Sequence, residues 1–450
     1  MNILYITVDA LRADHVTEEI MPNMYNFVDQ GCEYTRCYAN GPGTPWSFPA
    51  LLGGRYSAAS DGFGIPGEDD PRPTLAEVLR DEGYATAGFT DNRFASSDYN
   101  YDRGIDSMFD GSATSSEKRL KQEVRERLDH DGILYQTLLR SYHIIDDLLV
   151  NIRGSDTRFA RAELLIDELV EWVADQDDEW FAWLHPMDTH APYEAPDDYQ
   201  QLFLDDPVPR RRSQELARKA THHPKELTDE DWDLQRKLYK AECKYLDDQL
   251  GQLLNSQFES SETLIVFTAD HGEMHGEHGL GGHPQQFWEE VIHVPCGMSS
   301  PRLEGNTINK QIAHIDLPAT MLDLIGIQQP SGWPGRSLPP SKKDEWEARE
   351  HVFVDVEPEL NRDHAGVRRA DNWKLMRHDD DGELLLDVNT NPEEDPTGDK
   401  TDSATERYEV LSTVLDDHLD DMEQQRRGEM AGIEDEEMVE QHLKELGYLE

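Results

Sequence analysis

The sequence is poor in basic residues. Of its 450 residues, 42 are Lys or Arg and 93 are Asp or Glu, which gives a formal net charge of -51 at pH 7. Proteins that bind nucleic acid neutralise phosphates with clustered cations, so this composition argues against a nucleic-acid partner. The acidic residues are spread along nearly the whole chain. Because salt screens repulsion between like charges, we interpret the composition as that of a halophile-type protein in a salty interior.

Long apolar segments are also missing. The sequence contains no apolar run of about 18 residues, the length that a membrane-spanning helix needs. The chain enters an apolar segment at Ile3 without the basic and long apolar regions of a signal peptide. Its four cysteines show no paired spacing typical of a metal site. We therefore expect a soluble, cytoplasmic protein with reduced thiols and no membrane span.

The residues that are present can build a large folded core. Hydrophobic residues make up 37% of the chain and include nine Trp. Apolar runs typical of strands alternate with helical patterns along the sequence. The predicted strands are residues 3–8, 84–89, 180–184 and 264–267, and the predicted helices are residues 22–30, 74–80, 160–174 and 229–254. This βαβ alternation predicts an α/β fold with a mostly parallel central sheet flanked by helices.

The C-terminal third has a different pattern. A Pro- and Gly-rich segment at residues 329–340 indicates a boundary. Short apolar runs separated by turn residues follow it, at residues 352–356, 366–369, 373–376 and 384–387. They predict a small antiparallel sheet, which gives a catalytic domain at 1–340, a C-terminal subdomain at 341–400 and an acidic helical tail at 401–450. Two segments are predicted as insertions: a helical one at 115–152 and a loop-like one at 195–226.

The most informative stretch is residues 270–284, which contains four histidines, three carboxylates and five glycines. It directly follows the apolar run at 264–267. Asp270 and His271 would leave the carboxyl end of a strand, where α/β proteins bind their ligands, and the glycines permit a sharp bend there. This arrangement predicts a site for a divalent cation. The alternative is a polar loop whose histidines are simply solvated.

Other polar residues fall at predicted strand ends. Asp9 follows the first strand, and the segment from His185 to His190 follows the third. An Asp in such a position can also be an ordinary helix cap. Ser47 lies in a Gly- and Pro-rich loop that leads into a short apolar helix. There it could be a nucleophile stabilised by the helix N-terminus, or only an N-cap.

Taken in order, these segments resemble the sulfatase family of the alkaline phosphatase-like superfamily. The resemblance covers about nine-tenths of the chain and rests on residues 9–15, 47–50, 183–193, 267–273, 276–279, 314–320, 371–375 and 385–387. It implies an alkaline phosphatase-like sandwich with a small antiparallel C-terminal subdomain. It also implies an enzyme that hydrolyses ester bonds of a small anionic substrate.

The resemblance further implies roles for individual residues. One divalent cation (Ca, Mg, Mn or Zn) would be bound by Asp9, Asp270 and His271, with Ser47 as nucleophile beside it. Two histidines, His190 and His283, would donate hydrogen bonds to the transferred group or act as general acid to the leaving alcohol. The predicted substrate-binding residues are His185, Asn92 and Thr44.

The sequence departs from the family pattern at three points. Sulfatases commonly read Cys/Ser-x-Pro-Ser-Arg, with the first residue oxidised to formylglycine, but Ala50 and Leu51 follow Pro49 here and the Arg is missing. Ser47 could therefore be formylglycine or an unmodified alcohol, or Thr44 could be the true counterpart. The Gly-Lys-Trp-His stretch is absent, and residues 88–93 take its place. No second aspartate stands beside Asp9.

We therefore predict a metal-dependent hydrolase of sulfate esters. The alternatives on the same residues are a phosphodiesterase or phosphonate monoester hydrolase, and a phosphoglycerol-type transferase. A third possibility, from another functional class, is a scaffold protein that kept the fold without the chemistry. The four polar residues Asp9, Ser47, Asp270 and His271 argue against a scaffold, because burying polar groups at strand ends costs free energy.

Overall fold

The computed structural model describes residues 1–60, 62–67, 69–110, 159–258, 262–342, 344–356, 365–378 and 382–426. The predicted insertion at 115–152 and the last part of the predicted tail lie outside the described residues. The strands are β1 Asn2–Val8, β2 Cys32–Tyr34, β3 Cys37–Tyr38, β4 Ala85–Thr90, β5 Ser107–Phe109, β6 Trp180–His185, β7 Thr263–Ala269, β8 Met274–His275, β9 Gly281–Gly282, β10 His293–Val294, β11 Cys296–Ser299, β12 Asn306–Ile308, β13 Ile312–Ala313, β14 His351–Asp355, β15 Ala365–Arg369, β16 Trp373–His378 and β17 Gly382–Asp387.

The α-helices alternate with the strands of the first two-thirds of the chain and return at its end. They are α1 Pro22–Gln30, α2 Thr44–Leu51, α3 Leu75–Asp81, α4 Ala162–Ala174, α5 Asp197–Gln200, α6 Arg210–His222, α7 Asp229–Leu253, α8 Glu289–Ile292, α9 Leu317–Ile325 and α10 Thr405–Gln425. Local sequence explains several of their starts. Thr74 caps α3 and Thr228 caps α7, each in a reciprocal capping box with an acidic residue three positions on.

The central sheet has eight strands in the order β12-β2-β11-β7-β1-β6-β4-β5. Its middle is parallel: β1 lies between β7 and β6, and β4 continues beyond β6. Only β11 runs antiparallel to its neighbours. Strands β6 and β7 are buried along their whole length, which explains their continuous apolar sequences. The predicted α/β architecture, with a mostly parallel sheet flanked by helices, is confirmed.

The predicted C-terminal sheet is also confirmed. Strands β14 to β17 form an antiparallel meander in sequence order. Helix α10 packs on it through Leu411 and Leu415. On the other side, a hydrophobic cluster joins Val352 and Met376 of this sheet to Trp46 of α2. The small sheet therefore supports the helix that begins at Thr44.

The segment at 195–226 differs from the sequence prediction. It is not loop-like throughout, because it contains α5 and the three-turn helix α6. Leu216 and Ala220 of α6 are buried, and the helix contacts α7 and β9. Asp, Pro and Arg are so abundant in this segment that the helical spacing of its few apolar residues is hard to recognise in the sequence. Packing against α7 stabilises the helix.

Two further expectations concern the cysteines and the membrane. Cys32, Cys37, Cys243 and Cys296 are buried and form no disulfide. Within the described ranges, none of the helices combines the length and the apolar character that crossing a bilayer requires.

Candidate active site

Two neighbouring strands bring three potential ligands together. Strands β1 and β7 are parallel and in register up to Val8 and Ala269, so Asp9 and Asp270 leave the sheet side by side. One ligand atom each from Asp9, Asp270 and His271 lies within 4.8 Å of the other two. All three side chains are completely buried. The three predicted metal ligands therefore meet at the carboxyl edge of the sheet.

The backbone around these residues is shaped for the contact. Ala10 has a φ of 53°, a left-handed conformation that is rare outside glycine, and its N–H donates to Asp270 Oδ1 over 3.1 Å. His271 N–H donates to the same oxygen over 2.8 Å. Gly272 passes so close to α8 that an added Cβ would lie 2.0 Å from the Glu290 carbonyl oxygen. The Asp-His-Gly sequence is therefore required by geometry as well as by chemistry.

Thr44 places a hydroxyl between the two aspartates. It is the first residue of α2, and its Oγ1 donates to Asp270 Oδ2 over 2.9 Å and lies 3.3 Å from Asp9 Oδ2. Asn92 completes this group, because its Nδ2 donates to Asp9 Oδ2 over 2.6 Å and to Thr44 Oγ1 over 3.1 Å. The side-chain oxygen Oδ1 of Asn92 accepts from Phe94 N–H, which fixes the orientation of the side-chain amide. The hydroxyl is thus aligned at the centre of the candidate site.

Ser47 has a different environment. It is also buried, but it lies one turn further along α2, and its hydroxyl donates to the Gly41 carbonyl oxygen over 2.9 Å. One helical turn is a translation of about 5 Å along the axis. Of the two hydroxyls that the sequence offered as nucleophiles, the structure brings Thr44 to the aspartates.

The predicted histidines are brought to the same region. His185 lies beside Asp9, with Nε2 3.4 Å from Asp9 Oδ2 and Nδ1 2.5 Å from the Thr7 carbonyl oxygen. The ring of His283 lies 4.8 Å from that of His271 and 5.1 Å from that of His190. His190 and His283 therefore extend the candidate site from His271, and His185 adjoins Asp9.

Burial shifts the pKa values of these groups. Burial, together with the charge of Asp9, raises the pKa of Asp270 well above its usual range. Burial lowers the pKa of His190 to about 4 and, together with the neighbouring His271, lowers that of His283 to about 3. At neutral pH the imidazoles of His190 and His283 are therefore uncharged. The two aspartates can both ionise at low cost only if a cation joins them.

The donor set fits a divalent cation. Asp9 Oδ1 and His271 Nε2 are buried, and neither has a hydrogen-bond partner among the described residues. His271 Nδ1 lies 2.8 Å from the Gly272 carbonyl oxygen, so the ring proton belongs on Nδ1 and the lone pair on Nε2 faces the aspartates. Two carboxylates and one such imidazole are ligands typical of divalent metal ions in proteins.

Sequence reasoning missed Glu273 and a charged cluster around Arg161. Glu273 is completely buried, its Oε1 lies 3.5 Å from His283 Nδ1, and burial raises its pKa to about 7. A small cavity of about 20 Å³ opens beside His190 and is lined partly by Phe159, Met187 and Arg161. The Asp-His-Gly-Glu spacing could have suggested Glu273. No sequence pattern around Arg161 indicated a site residue, because Arg161 precedes helix α4 and is far in sequence from the other site residues.

Comparison with known proteins assigns a family. The family model described as "Sulfatase" matches residues 1–327, and the model described as "N-sulphoglucosamine sulphohydrolase, C-terminal" matches residues 276–425. The uncharacterized sulfatase YidJ of Escherichia coli (strain K12) is 24% identical over 83% of this chain and 76% of its own length. The choline-sulfatase of Rhizobium meliloti (strain 1021) is 26% identical over 51% of this chain and 49% of its own length.

Solved structures agree in fold. The structure of BT4656, in complex with its substrate D-glucosamine-2-N,6-O-disulfate, has a TM-score of 0.67 and 19% identity, and the match covers 94% of this chain and 98% of that one. The phosphonate monoester hydrolase of Agrobacterium radiobacter has a TM-score of 0.66 and 21% identity, covering 94% of this chain and 95% of that one. In each comparison the shared fold spans almost the whole of this chain and of the solved structure.

Proposed function

This chain belongs to the sulfatase family and is a hydrolase acting on ester bonds, and we propose that it hydrolyses sulfate esters with Thr44 as its nucleophile. One divalent cation would be held by Asp9, Asp270 and His271. The observation that carries the proposal is the position of the Thr44 hydroxyl, within 3.3 Å of one aspartate and 2.9 Å of the other. A single cation at these carboxylates would therefore lie next to the hydroxyl as well.

The chemistry follows from these neighbours. A bound divalent cation would polarise a non-bridging oxygen of the ester and lower the pKa of the hydroxyl. Thr44 Oγ1 then attacks the sulfur or phosphorus in line, the bond to the alcohol oxygen breaks, and the proton lost by Thr44 balances the proton gained by the alcohol. In a second step, water attacks the covalent threonine ester and restores the hydroxyl. Asn92 orients Thr44 through both steps.

The histidines move and position protons. His190 Nδ1 lies 2.7 Å from the Ala191 carbonyl oxygen, so the neutral ring carries its proton on Nδ1 and presents Nε2 as a proton acceptor. His190 can thus accept the proton of the attacking water in the second step. His283 would bind the transferred group, and His185, whose Nε2 lies 3.4 Å from Asp9 Oδ2, would contact the substrate beside Asp9.

Formylglycine is a separate question. Threonine carries a methyl group on Cβ, so its oxidation would give a ketone rather than the formylglycine aldehyde. We therefore propose that Thr44 acts as an unmodified alcohol. Formylglycine at Ser47 is the alternative drawn from the sequence, and it predicts a mass change in the peptide that contains residues 44–51.

Phosphodiesters and phosphonate monoesters are the second candidate substrates. Attack by an unmodified threonine gives a covalent threonine ester, and water must then attack the sulfur or phosphorus of that ester to release it. This second step is available to both sulfuryl and phosphoryl groups. Similarity in fold to a phosphonate monoester hydrolase also supports this candidate. A phosphoglycerol-type transferase would use the same residues, with an alcohol replacing water in the second step.

The acidic composition supports a further part of the proposal, namely that the enzyme works at high salt. A net charge of -51 destabilises a compact chain through self-repulsion, and salt screens that repulsion. Assays should therefore be done in concentrated salt.

The direct test combines metals, substrates and two hydroxyl variants. The protein is treated with chelator, each divalent metal is added in turn, and hydrolysis of an aryl sulfate, a phosphodiester and a phosphate monoester is measured. Thr44→Ala should lower kcat/KM by about 10³-fold or more, whereas Ser47→Ala, the matched control on the same helix, should lower it by less than about 10-fold.

Three results would contradict the proposal. The reverse order of the two variants would assign the nucleophile to Ser47, and mass analysis of the peptide with residues 44–51 would then show whether it is formylglycine. Turnover that survives removal of all metal would refute the cation. No hydrolysis of any ester with any metal would favour a scaffold protein.

A further inference from the structure

A short segment at the start of helix α4 contacts the loop that carries His190. This anchor segment consists of residues 159–162, and α4 begins at its last residue. The ring of Phe159 lies 5.5 Å from that of His190, in an edge-on contact. At the other end of the segment, Ala162 N–H donates to Asp188 Oδ2 over 3.0 Å. The anchor segment therefore runs alongside the loop and contacts it at two points.

Arg161, within the anchor segment, bonds both ends of this loop. Its Nη1 lies 3.1 Å from Asp188 and 2.8 Å from Glu242 of α7. Its Nη2 donates to the Glu194 carbonyl oxygen, and Glu242 accepts from Glu194 N–H. Asp188 precedes His190 by two residues and Glu194 follows it by four. One guanidinium thus fixes both ends of the His190 loop, which runs from Asp188 to Glu194.

The anchor segment is itself fixed to the core of the protein. Ala160 N–H donates to Asp91 Oδ2 over 2.5 Å, and Asp91 directly follows β4 of the central sheet. Leu165, in the first turn of α4, is completely buried in the main hydrophobic core. The guanidinium of Arg161 therefore extends from a rigid base, and it can determine where the His190 loop lies.

Packing alone does not fill the space between the anchor segment and the loop. The cavity of about 20 Å³ beside His190 is lined partly by Phe159, Arg161 and Met187. A gap of this kind leaves some atoms of its lining without van der Waals neighbours. Hydrogen bonds between a guanidinium and carboxylates are strong, and their planar geometry is specific. We therefore expect Arg161, more than apolar contact, to hold the loop in place.

The His190 loop in turn orients the imidazole. His190 N–H donates to the Met187 carbonyl oxygen over 3.0 Å, and His190 Nδ1 lies 2.7 Å from the Ala191 carbonyl oxygen. The other ring nitrogen, Nε2, is buried and has no hydrogen-bond partner among the described residues. Because both bonds join His190 to its immediate neighbours in the chain, a displacement of the loop would move Nε2 with it.

We propose that Arg161 is a positioning residue for the second step of the reaction, acting through His190 on the attacking water. The inference rests on the proposed function. In that step water attacks the sulfur or phosphorus and the bond to Thr44 Oγ1 breaks. The proton that water loses to His190 Nε2 balances the proton that Thr44 regains. A displacement of Nε2 by about 1 Å is enough to slow such a step by about 100-fold.

The experiment separates the two steps in Arg161→Met. The metal-loaded protein is mixed with p-nitrophenyl sulfate or p-nitrophenyl methylphosphonate, and release of p-nitrophenol is followed from the first turnover. Because p-nitrophenol leaves readily, the first step is fast and the second limits kcat. The variant should lower kcat and KM together by about 30-fold, keep kcat/KM within about 3-fold, and release a burst of p-nitrophenol. Mass analysis of the quenched protein should show the ester accumulating on the peptide with residues 44–51.

Arg103→Met is the matched control. Arg103 is also buried, lies 2.8 Å from Glu77 of α3 and donates to the Pro66 carbonyl oxygen over 2.6 Å. Its partners belong to α3 and to the loop before that helix, so its loss should lower stability without changing KM. If Arg161→Met lowers kcat with KM unchanged and no burst, as a general loss of folded protein would, the inference is overturned.

Two further variants make the possible failures distinguishable. His190→Gln should give the same burst; if it does and folded Arg161→Met does not, the proposed function stands and the positioning role fails. Without a burst in His190→Gln, both the histidine role and the inference fail. If Arg161→Met does not fold, Phe159→Ala removes a smaller contact with the same ring and should lower kcat and KM together by about 3-fold. Unchanged kcat and KM in Phe159→Ala would then overturn the inference.

Hydrogen exchange tests the positioning role without turnover. Backbone amides of the His190 loop should exchange faster in Arg161→Met than in the parent protein, and at the parent rate in Arg103→Met. Amides of β7 should be unchanged in both variants. Equal exchange of the His190 loop in the parent and in Arg161→Met would overturn the inference. Faster exchange in a protein that hydrolyses no ester would refute the proposed function and leave the positioning of His190 by Arg161 intact.

Discussion

Two buried clusters of charged side chains show different ways of balancing charge. The edge cluster consists of Asp9, Asp270, His271 and Glu273 at the carboxyl edge of the central sheet. The interface cluster consists of Arg368, Lys374, Glu289 and Glu394, where the C-terminal sheet meets helix α8. In the interface cluster Lys374 pairs with both glutamates and Arg368 lies 2.9 Å from Glu289. In the edge cluster Asp9 and Asp270 face each other, and among the described residues their side-chain neighbours are imidazoles, the Thr44 hydroxyl and the Asn92 amide.

We interpret the interface cluster as structural and the edge cluster as the proposed functional site. Lys374 also donates to the Phe287 carbonyl oxygen over 2.8 Å, so the interface cluster holds the loop that follows His283. Its charges are balanced within the chain, as stability requires of buried ions. Within the part of the chain that the structure describes, the edge cluster leaves Asp9 Oδ1 and His271 Nε2 without hydrogen bonds. Such an imbalance persists in a folded protein when an external cation completes it.

The largest expected effect comes from removing a charge from the edge cluster. Asp270→Asn should lower kcat/KM by about 10⁴-fold and abolish binding of the divalent cation measured by calorimetry. Without metal, this variant should be at least as stable as the parent protein, because the substitution removes repulsion from Asp9. A large loss of stability in the metal-free variant would instead place Asp270 in a structural role like that of Glu289.

The interface cluster should respond in the opposite way. Lys374→Met leaves Glu289 and Glu394 with less compensation and should lower the free energy of unfolding by about 3–5 kcal/mol. Metal affinity should change by less than about 10-fold, because the edge cluster is untouched. Combining Lys374→Met with Glu394→Gln should recover part of the loss. Denaturant titration in concentrated salt measures all three proteins, and a double variant no more stable than the single one would contradict the pairing.

Addition of metal should stabilise one cluster only. A divalent cation at about 100 times its dissociation constant should raise the free energy of unfolding of the parent protein by about 3 kcal/mol. The same increase should occur in Lys374→Met and should be absent in Asp270→Asn. Thermal unfolding with and without chelator measures it, and an increase in Asp270→Asn would show that the ion binds elsewhere.

A third cluster, Arg161 with the buried carboxylates Asp188 and Glu242, is intermediate in its charge balance. One cation compensates two carboxylates there, since Arg161 Nη1 lies 2.8 Å from Glu242 and 3.1 Å from Asp188. Burial raises the pKa of Glu242 from its usual value to about 7, with an opposing effect from Arg161. A carboxyl whose pKa is higher in the folded state than in the unfolded state stabilises the fold at low pH, and that stabilisation is lost as pH rises through about 7.

The corresponding variant tests this sign. Between about pH 5 and about pH 8, the parent protein should lose about 2 kcal/mol more stability than Glu242→Gln, which has no proton to lose at this position. Denaturant titration at both pH values measures the difference. Equal pH dependence in the two proteins would mean that Arg161 fully compensates Glu242, and the cluster would then resemble the interface cluster.

Much of the fold could be read from local patterns. The apolar runs before Asp9, His185 and Asp270 mark buried parallel strands, because a strand covered on both faces needs apolar side chains throughout. Polar residues directly after such runs must emerge at the carboxyl edge of the sheet. For this reason the sequence predicted which aspartates and histidines would meet. The sequence analysis did not predict the helix at 210–222, because that helix has few apolar residues and these are buried only by its contact with α7.

The tertiary structure, and not the sequence, determines which hydroxyl lies at the aspartates. Thr44 and Ser47 lie three residues apart in the same apolar segment, and both fit a nucleophile at the start of a helix. The point where α2 begins, supported by Trp46 against the C-terminal sheet, decides which of them faces Asp270. A shift of one helical turn would bring Ser47 to the position that Thr44 occupies.

The sequence by itself determined the order of strands along the chain, the acidic surface and the chemical types of the ligands, because these depend on composition and short-range periodicity. Only the tertiary structure decided that Thr44 is the hydroxyl between the aspartates, that Glu273 faces His283, and that Arg12 and Arg161 are each held by two carboxylates. These contacts join residues far apart in the sequence. Their distances, and therefore the charge balance of the site, arise only when the sheet and its helices assemble.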